Sequence, residues 1–178
     1  MKKKIDAFDY AREIVKALPK GVLLTTKAGG RVNTMTIGWG EIGVKWGKPI
    51  FIAFVRESRF TKGMLEKNPE FTVNVPLGEV DRKILSFCGT KSGRDVDKIA
   101  ACGLTLEEGE AVSVPGIREL PLTLECRVIY RQAQDPQAIP PEVISRFYPQ
   151  NVDSTACGAN RDFHTAFYGE IVGAYLAE

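Results

Sequence analysis

The sequence predicts a mainly β protein, an antiparallel barrel with short helices at its periphery. Three observations carry this. After an opening helical stretch the chain runs as the β-rich segments GVLLTTK, RVNTMTIGW and KPIFIAFV, punctuated by glycine and proline. Toward the C-terminus LPLTLECRVIYR alternates in side-chain character, and FHTAFYGEIVGAYL reads as one long strand. Between these groups lie only short helical patterns, without the regular strand-helix alternation of a parallel doubly wound sheet.

In MKKKIDAFDYAREIVKALPKG, Asp6 is placed to cap a helix. Its apolar positions Phe8, Ala11, Ile14, Val15 and Leu18 share one face, and Pro19 ends it. SRFTKGMLEK at 58–67 predicts a short helix capped by Ser58 and stopped by Asn68-Pro69, with EFTVNV following as a strand. VDRKILSFC and DVDKIAAC predict two short helices around the loop GTKSGR, the first with Val80, Ile84 and Cys88 on one face. In the alternating strand Leu122, Leu124, Cys126, Val128 and Tyr130 point one way, while Thr123, Glu125, Arg127 and Arg131 point the other. One of those faces is expected buried, the other wet or paired. PEVISRFY predicts a further short helix. No repeat or linker divides the chain, so residues 1–178 are expected to form a single domain.

A chain of 178 residues buries enough surface to need no disulfide or metal staple. Its 44% hydrophobic and 26% charged residues, with a net charge of +2, are too balanced for a dedicated nucleic-acid binder. Asp6, Asp9, Arg12 and Glu13 interrupt the apolar stretch that a signal peptide would need, and no apolar run is long enough to span a membrane. A cytoplasmic protein without a membrane partner is expected. Cys88, Cys102, Cys126 and Cys157 form no C-x-x-C, and His164 is the single histidine, so no metal site is expected.

Residues 38 to 43, GWGEIG, satisfy the glycine fingerprint of dinucleotide-binding Rossmann domains. That fingerprint works by turning a strand into a helix whose N-terminus holds a pyrophosphate. Here VKWGKPIFIAFV follows, and Gly47, Pro49 and the β-branched run forbid the helix. The glycines are better read as the bend and loop between antiparallel strands, open to close approach by a flat ligand or simply a turn beside a packed tryptophan.

Two loops invite an anion. In VRESRFTK, Arg56, Arg59 and Lys62 bring charge and Ser58 and Thr61 bring hydroxyls to a helix start; a solvated basic turn is the alternative. Lys91, Ser92, Gly93 and Arg94, followed by Lys98, repeat the combination before the next helix. Two such loops in a chain of modest net charge imply local concentration of charge.

These residues together resemble the flavin reductase-like FMN-binding family with a split-barrel fold, of the flavoredoxin type. The likeness is carried by NTMTIGW at 33–39, WGKP at 46–49, RESRFT at 56–61, CGTKSGRDVDK at 88–98 and HTAFYGEI at 164–171, in order through nearly the whole chain. The resemblance implies a six-stranded antiparallel Greek-key split barrel that binds one FMN per subunit, the site completed at a homodimer interface. It places Asn33, Thr34, Met35, Thr36 and Trp39 along the isoalloxazine ring. Ser58, Arg59 and Thr61, with neighbouring Glu57, fall at the phosphate, Lys98 adds a second cation there, and Ser92 and Gly93 lie near the ribityl-phosphate arm. His164 is either an exposed strand residue or one that faces the flavin edge or nicotinamide, and Tyr168 shares its strand face by the two-residue period. The stretch 132–162 carries no matching block.

Such a site implies an NAD(P)H-dependent flavin reductase, with NADH or NADPH as transient donor and no side chain required as acid or base. A flavoredoxin-type electron carrier with permanent FMN and a protein redox partner needs the same cradle. A cofactor-free barrel binding single-stranded nucleic acid would require a continuous basic stripe, which the two compact loops do not make. Haem would have only His164 as an axial histidine.

Overall fold

The β-branched segments pair as antiparallel neighbours throughout the computed structural model, which describes residues 1–178. In chain order the elements are β1 (Lys2–Lys4), α1 (Ala11–Ala17), β2 (Val22–Ala28), β3 (Arg31–Ile37), β4 (Gly40–Lys45), β5 (Lys48–Arg56), α2 (Phe60–Lys67) and β6 (Glu70–Val75). They continue with α3 (Arg82–Thr90), α4 (Lys98–Ala101), β7 (Leu106–Glu107), β8 (Gly116–Ile117), β9 (Leu122–Ala133), α5 (Pro141–Phe147) and β10 (His164–Ala177).

The main sheet runs β3-β2-β6-β9-β10-β5-β4, with β1 added on β10. Its two edge strands, β3 and β4, are consecutive in the chain and joined only by Gly38-Trp39. The sheet must therefore curl until its edges meet at one corner, which produces a split barrel. The antiparallel barrel with short helices is as expected, but the sheet has eight strands where the resemblance implies six. The extra pairing has local causes. Gly40–Lys45 is a strand in its own right, hydrogen-bonded along β5 from Gly40↔Ala53 to Lys45↔Lys48. The turn is Trp46-Gly47, both at positive φ (54° and 69°), the geometry of a tight hairpin. β1 pairs with the far end of β10.

Inside the barrel Val22, Leu24, Phe51, Val73, Leu124 and Phe167 form the main core, closed at one end by Ile14, Ala17 and Leu18. On the outer side of β2, a second cluster of Leu23, Leu85, Cys88, Leu104, Ile117 and Leu120 packs beneath α3 and β8. Val80 lies outside α3 yet packs on this cluster. The polar face of β9 is paired rather than wet at Thr123 and Glu125, both 1% exposed. The Glu125 carboxylate accepts the backbone N–H of Glu110 at 2.6 Å and of Ala111 at 3.2 Å. A third cluster, Ile50, Ile52 and Ala166 with Phe54 and Tyr168, lies on the outer side of β5 and β10.

Asp6 caps as expected, accepting from the Phe8 N–H, although a 3-10 turn precedes the α-helix. Ser58 does not cap. The helix α2 begins at Phe60 with Arg59 in the capping position, and the Ser58 hydroxyl donates instead to the Ser154 carbonyl at 3.1 Å.

Candidate functional site

Two adjoining cavities open where β3, the start of α2, the end of α3 and the segment 147–164 converge. The larger, about 740 Å³, is lined by Asn33, Ser58, Arg59, Thr61, Ser92, Gly93, Arg94 and Lys98. The smaller, about 290 Å³, is lined by Thr36, Trp39, Phe54, Arg56, Phe147 and His164. Met35, Arg59 and Gly89 line both, so the two form one elongated site.

The larger cavity is built by two loops brought together across β3. Asn33 Nδ2 donates to Thr61 Oγ1 at 3.1 Å, and Arg94 Nη1 donates to the Ser58 carbonyl at 2.9 Å. Gly93 is required here: a Cβ on it would stand 2.1 Å from Asn33 Oδ1, so no side chain fits where the loop crosses β3. Lys98 is 4% exposed, and its ammonium donates to the Cys88 carbonyl at 2.9 Å. Burial pushes its pKa below the ordinary lysine value, the Arg59 charge acts in the same direction, and Cys88 opposes them. Lys62, Arg118, Arg127 and Arg161 each have a carboxylate partner. Arg59, Arg94 and Lys98 have none within 4.0 Å, and Asp95 is the one acid on the lining. The chain supplies concentrated positive charge without its counter-charge, which is the donor set of an anion site.

Aromatic edges build the smaller cavity. Trp39 stands edge-on to Phe147, with centroids 5.3 Å apart, and tilts against His164 at 5.0 Å. His164 is buried, and its hydrogen bonds fix its tautomer. The Gln134 Oε1 accepts the backbone N–H of His164 and the Tyr148 hydroxyl, both at 2.9 Å. With the tyrosine proton committed to Gln134, the 2.9 Å contact between Tyr148 and His164 requires Nδ1 to donate. The imidazole therefore keeps its lone pair on Nε2. Burial, reinforced by Arg56 and Arg59, pushes its pKa down to about 3, so it stays neutral at physiological pH.

A strap from Phe147 to Asp162 crosses both cavities through its carbonyls. Arg56 donates to Phe147 at 3.0 Å, to Asn160 at 3.3 Å and to Asp162. Arg59 Nη2 reaches the Ala156 carbonyl at 3.4 Å. Arg59 lines both cavities.

Most residues expected in the site meet there: Asn33, Met35, Ser58, Arg59, Thr61, Ser92, Gly93 and Lys98 in one cavity, Met35, Thr36, Trp39, Arg59 and His164 in the other. Three do not. Thr34 is fully buried, its hydroxyl 3.0 Å from that of Thr25, which donates on to Asn74. Glu57 faces away, pairing with Lys62 at 3.1 Å and accepting from Thr165. Tyr168 shares a strand face with His164 but sits roughly 13 Å along it, packed on Tyr130 at 5.0 Å. Phe54 and the strap residues Phe147, Gly158 and Ala159 were not anticipated. Arg56, expected only as loop charge, lines the smaller cavity.

A family model described as the flavin reductase like domain matches residues 15–178. The chain belongs to this family. Among solved structures, the flavin reductase-like fold is shared with flavoredoxin from Methanosarcina acetivorans, at 27% identity and TM-score 0.64, covering 89% of this chain and 68% of that one. An FMN-binding domain of a flavin reductases-like enzyme from Shewanella baltica matches at 17% identity and TM-score 0.64, covering 99% of this chain and 78% of that one. An uncharacterized protein of Archaeoglobus fulgidus is 33% identical over 97 residues, 54% of each chain. The chain spans about half the length of the curated relatives it matches. Flavin binding is supported by the family. No helix is long and apolar enough to cross a membrane.

Proposed function

We propose that this flavin reductase-like chain binds FMN along the two cavities and accepts reducing equivalents from NADH or NADPH. The observation that carries the reading is the buried Lys98 ammonium, beside Arg59, with no carboxylate partner and an aromatic-walled cavity next door. FMN has the matching chemistry: a phosphate bearing nearly two negative charges, joined by a polar arm to a flat apolar ring. In this reading Ser58, Arg59, Thr61, Ser92 and Lys98 hold the phosphate. Met35, Thr36, Trp39, Phe147 and His164 hold the ring.

When bound, FMN supplies a ring that takes up a hydride or single electrons. The chain's own residues do the rest. Trp39 and Phe147 wall the cavity and exclude water, and Arg56 pins the strap that carries Phe147. His164 offers a neutral acceptor at Nε2 and adds no positive charge, so Arg59 remains the cation that spans both cavities. No side chain is assigned as acid or base.

A second reading, a flavoredoxin-type electron carrier with permanently bound FMN, is favoured by the 27% identity to a flavoredoxin. A homodimer is proposed with both. Trp46, 65% exposed, stands edge-on to Tyr130, which packs on Tyr168 of the outer cluster, and suits a second copy.

Absorbance spectra before and after gel filtration test the cofactor, sedimentation equilibrium on the same sample tests the dimer, and stopped-flow mixing with NADH and NADPH tests the donor. We expect a flavin spectrum that reduction bleaches within the enzyme's turnover time. Retention of FMN with no reduction by either nucleotide leaves the electron-carrier reading; no flavin spectrum after adding FMN removes both.

A further inference from the structure

A third hollow, about 970 Å³, lies between the end of α1 and the connection from β6 to α3. Thr36 lines this hollow and the ring cavity alike, donating through Oγ1 to the Leu85 carbonyl at 2.7 Å. Gly21 helps keep that junction narrow in side chain: it sits at φ 105°, and a Cβ there would stand 2.9 Å from Thr36 Cγ2. Lys16 and Lys20 stand on one bank and Arg82 on the other, none with a carboxylate within 4.0 Å. Glu13 and Glu79 are the acids on the lining, and Leu77, Val80 and Leu85 give it apolar wall.

We infer that this hollow takes the pyrophosphate and adenosine of the nicotinamide dinucleotide, with Lys16, Lys20 and Arg82 addressing the phosphates. The inference rests on the reading of the ring cavity as the flavin site. Three physical points lead to it. The glycine fingerprint at 38–43 leads from β3 into the strand β4 rather than into a helix, so the pyrophosphate has no dinucleotide turn there and must be met by side chains elsewhere. A cavity of about 290 Å³ that already seats a flavin ring leaves no room for a whole dinucleotide, whose remainder must lie in an adjoining space. Two spaces adjoin it away from the phosphate cavity. The one beside Trp39 and Phe54 carries Glu41 as its only charged residue, whereas the hollow beyond Thr36 carries three unpaired cations together with apolar wall for a base.

The probe is ADP-ribose, which has the pyrophosphate and adenosine but no nicotinamide, titrated calorimetrically into the FMN-loaded protein. We expect the wild type to bind it, and the triple variant Lys16→Gln, Lys20→Gln, Arg82→Gln to bind it roughly tenfold more weakly, the sum of three exposed charge contacts. KM for NADH and NADPH should rise in parallel while the flavin spectrum is retained. The double variant Glu13→Gln, Glu79→Gln should shift ADP-ribose affinity the opposite way. Wild-type protein that fails to bind ADP-ribose, or a triple variant that binds it equally well, overturns the inference. Failure of the flavin reading itself shows separately, as absence of bound FMN in every variant.

Discussion

The two cavities of the site are assembled on opposite principles. The larger is made of charge: Arg59, Arg94 and Lys98 gathered from two loops that are each continuous in sequence, with Lys98 held out of water and left without a counter-ion. The smaller is made of shape: Trp39, Phe54, Phe147 and His164 come from four separate parts of the chain, and each is held by its neighbours. A buried ammonium with a carbonyl but no carboxylate partner destabilises the empty fold, and an arriving anion compensates it. An aromatic wall asks nothing comparable of the empty protein. The charged cavity should therefore dominate affinity, and the aromatic one should decide which ring is accepted.

The sharpest break of that comparison is the pair of changes Arg59→Ala and Lys98→Met. Each removes a charge-assisted contact of about 2 kcal/mol, so FMN affinity should fall by roughly a thousandfold. Riboflavin has the same ring and no phosphate, and its affinity should move by less than about threefold. Fluorescence quenching titrations with both ligands check this. A riboflavin loss as large as the FMN loss would mean that these cations support the fold rather than the anion. Lys98→Met alone should raise the melting temperature of the flavin-free protein, because it replaces a desolvated ammonium with an apolar chain of similar length.

The complementary change, Trp39→Ala or Phe147→Ala, should cost FMN and riboflavin alike about 2 kcal/mol, roughly thirtyfold. The same titrations measure it. A loss confined to FMN would place these rings at the phosphate end and reverse the division of labour between the cavities.

The charged cavity was legible in the sequence because its parts are short runs: RESRFT and KSGRD put hydroxyl, glycine and cation next to one another, and local chemistry suffices to read them. The barrel was legible for a similar reason, since alternation in 120–131 and turn residues between strands are local signals. The aromatic cavity was only half legible. Trp39 and His164 fall in recognisable blocks, but Phe147 reaches Trp39 only because carbonyls of the strap, far along the chain, bond to Arg56. Such contacts use backbone oxygens, which every residue has, and leave no trace in composition. Tyr168 shows the limit of periodicity: the two-residue rule gave it the right face of β10, yet a face says nothing about distance along the strand. Thr34 failed differently. Its hydroxyl found a partner in Thr25 across the β2–β3 ladder, which register alone decides.

The smallest expected effect concerns the histidine wall and needs no ligand. His164 has a folded pKa of about 3 against an ordinary value of 6.5, with burial the leading cause. Between those two pH values the unfolded chain binds a proton at this residue that the folded chain refuses. Stability is therefore complete above about 6.5 and is lost as the pH falls toward about 3. Moving from pH 7.5 to pH 5.5 should destabilise the wild type by about 1.4 kcal/mol more than His164→Gln, which has no titrating ring. Urea unfolding of both proteins at the two pH values isolates the difference, since the carboxylates common to both cancel. Equal pH slopes would mean that the imidazole is free to protonate in the folded state. Its positive charge would then add to Arg59 on the same lining, and the aromatic cavity would be a second anion site rather than a neutral slot for a ring.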